Sequence, residues 1–185
     1  QKYPARYLQI LKEISVTGEN GAWARIMPST GLEICLDIDF PDPGIGKQKI
    51  DYFFSTSSYI DEISAARTFC MLRDVQNMKH AGLAKGGTLE NAVVVDGGKI
   101  LNDNGLRMQN ECVRHKVLDC IGDLFLICMP IFGKFEAFKP GHAMTLNLLH
   151  KLMADKSSYV IKTNSKDIST IRGFANLPNV AAIPA

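Results

Sequence analysis

The sequence predicts an α+β fold, a mainly antiparallel sheet with helices packed on one face. Three observations lead there. Leu32, Ile34, Leu36, Ile38 and Phe40 fall at every second position, the period of a half-buried strand. The strand-type runs come first, joined by Gly/Asn and Pro/Ser/Thr turns rather than by helical crossovers. The two longest helical segments, Glu111 to about Cys128 and His142 to Asp155, come late.

Taken in chain order, Tyr7 to Val16 alternates in its later part and reads as a strand. Ala22 to Met27 and Leu32 to Phe40 follow, separated by Pro28 and Gly31. Pro41 to Gly46 is a loop, and Lys49 to Phe54 is a short strand. Ser57-Ser58 can cap a helix from about Tyr59 to Ala66, and Arg67-Thr68-Phe69 after it reads as a packed turn. Asp74 to His80 is a short helix stopped near Gly82, and Gly86-Gly87 is a turn. Ala92 to Asp96 is a β-branched strand closed by Gly97-Gly98. The first long helix stops before Pro130, and Val117, Leu118, Ile121, Leu124 and Phe125 are its expected apolar face. Ile131 to Phe138 is a strand ended by Pro140-Gly141, where the second long helix begins. Tyr159 to Lys162 reads as a last strand, and the tail from Thr163 as loosely held. The expected organisation is one domain over 1–160 with a tail at 161–185.

Composition narrows the function classes. The 185 residues suffice for a core without disulfide or metal staples. A net charge of +2 is too small to argue for nucleic acid or an acidic membrane. No stretch approaches the ~18 consecutive apolar residues of a membrane span, and Gln-Lys-Tyr-Pro opens the chain without a hydrophobic signal segment. Cys35, Cys70, Cys112, Cys120 and Cys128 are odd in number and form no Cys-x-x-Cys, so a reducing, cytoplasmic setting is expected.

The first long helix carries His115, Asp119 and Asp123 at i, i+4 and i+8, which stacks them on one face. An imidazole and a carboxylate one turn apart can reach one zinc ion. A third group a turn further is better placed to orient a neighbour. The same spacing also belongs to any solvated amphipathic helix face. His142 follows Pro-Gly at a helix start, a position that serves equally for a plain capping-region residue. Lys116 alone is a solvated helix lysine, and Phe40 before Pro41 alone is packing. Gly86-Gly87-Thr88 lacks the Lys-Ser/Thr of a phosphate loop.

The order of motifs goes further. Ala66-Arg67-Thr68-Phe69, Leu72-Arg73-Asp74, Gly82-Leu83-Ala84-Lys85-Gly86-Gly87 and Asn91-Ala92-Val93-Val94 are followed by Leu101-Asn102, Gly105-Leu106-Arg107 and Val113-Arg114-His115-Lys116. Leu118-Asp119, Gly122-Asp123 and Gly141-His142-Ala143 complete the set. From about Tyr7 to Tyr159 the chain resembles the second domain of the UDP-3-O-acyl-N-acetylglucosamine deacetylase family of lipid A synthesis. The resemblance implies a two-layer sandwich, one sheet under two long helices, with a small β-α-β insert at about 73–95 that shapes a passage for the substrate's acyl chain. It implies zinc-dependent hydrolysis of an N-acetyl group. His115 and Asp119 match two zinc ligands. His142 matches the catalytic histidine, Asp123 the acid supporting it, and Thr68 a residue at the reacting centre. Phe40, Phe69, Asp74 and Lys116 match positions lining the nucleotide-sugar site.

The family's third zinc ligand is a histidine preceded by the general-base glutamate, in a first domain with no counterpart in this sequence. That missing N-terminal domain is the expected partner, and the chain alone is expected to be inactive. Local departures are Met108-Gln109-Asn110, Cys112, Cys70-Met71 and Thr145, which bear on acyl-chain fit and helix-start contacts. The competing readings are a non-catalytic module that binds nucleotide-sugar or acyl chain, and an unrelated structural domain.

Overall fold

A computed structural model describes residues 5–82 and 85–164. Its strands are β1 (Ala5–Ile10), β2 (Ile14–Thr17), β3 (Trp23–Met27), β4 (Leu32–Asp39) and β5 (Lys47–Phe53). Helix α1 (Thr56–Ser58) continues as a π turn through Tyr59–Ile63. Next come β6 (Thr68–Met71), α2 (Leu72–His80), β7 (Ala92–Asp96) and β8 (Lys99–Ile100). Helix α3 (Glu111–Leu124), β9 (Ile131–Phe138), α4 (His142–Ala154) and β10 (Tyr159–Asn164) complete the order. No described helix is long and apolar enough to cross a membrane.

The fold is the expected α+β sandwich. Strand β9 organises the large sheet by pairing with three others. Ile131 and Phe132 run parallel to β1, Gly133–Phe138 parallel to β4, and Lys134–Phe138 antiparallel to β3. Antiparallel partners extend it outward, β10 on β1, β2 on β3 and β5 on β4. Gly133 is required at the junction, because a Cβ there would lie 2.6 Å from Cγ1 of Ile10. Helix α4 lies over β2 and β3, α3 over β4 and β5, and the two helices touch. Period-two burial of Ile34, Leu36 and Ile38 meets a stripe of Val113, Val117, Cys120 and Leu124 from α3 and Leu148, Leu149 and Leu152 from α4.

A separate three-stranded sheet has β7 at its centre, parallel to β6 and antiparallel to β8. With α2 it is the β-α-β insert. It begins at Thr68 rather than near Arg73, because Thr68–Met71 is the first strand of the unit and not a packed turn. Buried Asn102 closes it, accepting from the Val94 N–H and donating to the Leu89 and Ala92 carbonyls.

Other boundaries also moved. The run Tyr7 to Val16 is two strands: the β1–β10 ladder ends with the Leu11 N–H bond to the Ser158 carbonyl, and after residues 11–13 the chain re-enters the sheet as β2, paired with β3 instead. The cap of α1 is Ser55, whose hydroxyl accepts from Ser58 N–H while Ser58 Oγ accepts from Ser55 N–H. Phe125 does not join the apolar face of α3 and is 63% exposed, since the α-helix ends at Leu124 and a 3-10 turn over Phe125–Ile127 swings it outward. Strand β10 runs to Asn164, and residues 165–185 of the expected tail lie outside the described residues.

Phe135 sits fully buried in the middle of β9. Phe135→Ala should lower stability by about 3–5 kcal/mol, the range for a large buried aromatic. Urea unfolding measures it, and a loss below ~1 kcal/mol would show that β9 is not the centre of the core.

Candidate active site

The polar row of α3 faces away from its buried stripe. His115 Nε2 lies 3.3 Å from Asp119 Oδ1, and Lys116 Nζ donates to Asp119 Oδ2 at 2.9 Å. The two carboxylate oxygens are thus divided between a cation and the imidazole. His115 Nδ1 is 3.2 Å from the Ala66 carbonyl oxygen. A carbonyl only accepts, so that hydrogen bond puts a ring proton on Nδ1, and in the neutral ring it leaves the lone pair on Nε2. In that state the lone pairs of Nε2 and Oδ1 face each other, and a proton on Nε2 or a cation between them satisfies both.

Asp123 lies one turn along the same row. His142, at the start of α4, donates from Nδ1 to Asp123 Oδ2 at 2.8 Å. Gly141 caps that helix in an extended conformation, which aims the first side chain of α4 back toward α3. His142 is 63% exposed whereas Asp123 is mostly covered. Phe125 and Leu126, just beyond Asp123, are exposed apolar side chains.

The other expected site residues divide. Phe69 on β6 meets the His115 ring edge-on at 6.3 Å between centroids, and Phe40 meets Phe69 edge-on at 5.1 Å. Thr68 is exposed at the start of β6, next to Phe69. Asp74 stands outside these contacts, exposed on α2 with Arg73 Nε 3.9 Å away. A cleft of about 280 Å³ separates the loop at Pro41–Pro43 from Met71, Leu72 and Arg73. Pro41 and Arg73 in its walls are chain neighbours of Phe40 and Asp74, and Val95, Asp96 and Gly97 complete the lining. Thr145, buried on α4, directs its hydroxyl to the Gly141 carbonyl. Among the described residues, no three His, Cys, Asp or Glu side chains gather as a metal cage.

Sequence reasoning missed Glu111, the first residue of α3 and completely buried. Its Oε1 accepts from Arg67 Nε at 2.8 Å and Arg67 N at 3.0 Å, and its Oε2 from Arg67 Nη2 at 3.0 Å and Arg107 N at 2.7 Å. Burial pushes the Glu111 carboxyl upward, but the bonds from Arg67 and the two backbone N–H groups outweigh it and hold the group below the usual carboxylate value. The signal was available: Arg67 and Glu111 each sit beside a site motif. Charge pairing across 44 residues, however, has no local pattern.

Comparison with known proteins adds the family. The family described as UDP-3-O-acyl N-acetylglycosamine deacetylase matches residues 1–154. A protein of Nitrosococcus oceani named UDP-3-O-acyl-N-acetylglucosamine deacetylase is 42% identical over 169 residues, 90% of this chain and 55% of that protein. Proteins of the same name from Psychrobacter arcticus and Vibrio parahaemolyticus are 40% and 37% identical, covering 89% and 97% of this chain and 52% and 59% of their own lengths. The chain spans about half the length of the curated relatives it matches.

Glu111 carries a stability prediction. Removing one partner of a buried pair strands the other charge, so Glu111→Ala should cost about 3–5 kcal/mol at pH 7. The folded carboxyl titrates below its unfolded value. Its contribution is therefore complete above the unfolded range near ~4.3 and is lost as pH falls through the lower folded value. The stability gap between wild type and Glu111→Gln should narrow on acidification below about pH 4. Denaturant titrations across pH measure it, and a gap that stays constant into strong acid would refute the ion pair.

Proposed function

This chain belongs to the UDP-3-O-acyl-N-acetylglucosamine deacetylase family, and on that premise we propose that it forms part of a zinc-dependent site that hydrolyses the N-acetyl group of UDP-3-O-acyl-N-acetylglucosamine in lipid A synthesis. A third metal ligand and a general base are proposed to come from sequence beyond this chain. The observation that carries the reading is the approach of His115 Nε2 to Asp119 Oδ1, 3.3 Å apart, with Nδ1 of the ring turned to a backbone carbonyl. Tetrahedral zinc with bonds of roughly 2.0–2.1 Å places neighbouring ligand atoms about 3.3 Å apart, so the two donors fit it. Two protein ligands fall short of the three usual at a catalytic zinc.

Zinc held there supplies Lewis-acid polarisation of the amide carbonyl and of water. The residues of this chain have separate tasks. Lys116 fixes Asp119 by its second oxygen. Asp123 holds His142 through Nδ1–H, and in the protonated imidazolium the Nε2–H is the proton that passes to the departing amine, leaving the ring neutral. Thr68 offers a hydroxyl to the developing oxyanion. Phe40 and Phe69 form an aromatic wall leading to His115, suited to a nucleobase or sugar face, with Lys116 for the phosphates and Asp74 at the rim of the adjoining cleft.

Fusing this chain behind the first half of the Nitrosococcus oceani relative tests the proposal. Acetate release and zinc content are measured together. The fusion should turn over and the chain alone should not. In the fusion, His142→Ala should keep zinc and slow turnover by about 10²–10⁴. His115→Ala should lose both. Zinc lost from His142→Ala but retained by His115→Ala would reverse the roles. Nucleotide-sugar binding without acetate release would favour a binding module.

A further inference from the structure

We infer that the buried Arg67–Glu111 pair is a positioning device for His115: it holds the Ala66 carbonyl against the imidazole and so keeps Nε2 free toward Asp119. The consequence for metal affinity rests on the metal reading proposed above, whereas the effect on the ring tautomer stands without it.

Three consecutive residues of the strap between α1 and β6 are tied down separately. The Ala65 carbonyl accepts from Arg107 Nη1 at 3.1 Å. The Ala66 carbonyl meets His115 Nδ1 at 3.2 Å. Arg67 N–H donates to Glu111 Oε1 at 3.0 Å. Both arginines that act on the strap are themselves held by Glu111, Arg67 through its side chain and Arg107 through its backbone N–H. Arg67 Nη2 also donates to the Gly105 carbonyl at 2.8 Å, which ties the 105–111 loop into the same knot.

Glu111 and His115 are one turn apart on α3. The anchor of the strap and the ring that uses it therefore belong to one rigid element. Ala66 and Arg67 are buried, so water does not replace a displaced carbonyl. A neutral imidazole has one acceptor nitrogen. If the carbonyl moved away, the ring proton could sit on Nε2 and occupy the lone pair that faces Asp119. The clamp thus decides which nitrogen faces the proposed ligand partner. It also sets the start of β6, and with it Phe69, whose ring braces the same imidazole.

The test uses the full chain carrying Arg67→Met with Glu111→Leu, an apolar pair of similar volume that leaves no stranded charge. Three readouts are taken: the cooperativity of thermal unfolding, the nitrogen-15 shifts of the His115 ring, and affinity for cobalt(II) by absorption titration. The variant should melt cooperatively and show a mixture of ring tautomers where wild type shows Nδ1–H alone. Its cobalt affinity should fall about 10–100-fold, the usual range for removing a group that orients a ligand. A folded variant that keeps pure Nδ1–H and wild-type cobalt affinity would overturn the inference and leave the pair with a structural role only. Should the double variant fail to melt cooperatively, Glu111→Gln is read by the same criteria, since its amide puts donors against the Arg107 N–H. If His115→Ala binds cobalt as well as wild type while the tautomer change persists, the metal reading fails and the clamp stands.

Discussion

A carboxylate without solvent contact survives only inside a ring of donors, and the whole arrangement of this molecule around Glu111 supplies that ring. Desolvating a charge costs several kcal/mol, offset here by two guanidinium bonds and two backbone N–H groups. The net gain in stability from such a pair is small, but any packing that parts Arg67 from Glu111 leaves two charges buried alone. The insert shares no strand with the large sheet. Its docking therefore relies on contacts that hydrophobic burial alone does not orient. Met71, Val93 and Val95 join the common core, and Asp42 bridges to the Gly98 N–H, while the charge pair ties the start of β6 to the start of α3.

The two histidines near that knot show how the acceptor defines the chemistry. Both present Nδ1 to an oxygen, and His115 turns its Nε2 toward Asp119. For His115 the oxygen is a neutral backbone carbonyl in a covered setting. For His142 it is a carboxylate, and the ring is largely open to solvent. A neutral ring with a free Nε2 suits a ligand, whereas a ring sharing its proton with a carboxylate suits proton transfer. In the proposed mechanism the same side chain type thus fills two roles, and the difference comes from what α3 and the strap place behind each ring.

Much of this fold could be read from sequence because its signals are periodic. The alternation in 32–40, the β-branched run at 92–96 and the run 131–138 between Pro130 and Pro140 became β4, β7 and β9 at nearly the expected bounds. The His115, Asp119 and Asp123 row was legible as a helix face, though their chemistry came from the resemblance rather than the spacing. What could not be read was set by distant partners. Thr68–Met71 is too short for a periodic signal and becomes a strand only because Ala92–Val95 lies beside it. The break after Ile10 reflects a change of partner, from β10 for β1 to β3 for β2. Glu111 looks like an ordinary first-turn acid, favourable to the helix dipole, until Arg67 is brought to it.

The placement of the row on α3 separates two kinds of cost. Val113, Val117, Cys120 and Leu124 face the sheet, while His115, Asp119 and Asp123 stand on the opposite side of the same helix. Changing a member of the row removes polar contacts at a partly open face and opens no cavity in the core. Chemistry and stability can therefore vary independently along most of α3. They meet at its first turn, where one buried carboxylate both stabilises the helix start and aims the strap at His115. The proposed site is consequently tolerant along its row and rigid at its base. In physical terms, a metal-ligating face needs that combination: donors near enough to solvent to exchange a ligand, mounted on a support that offers them a single orientation.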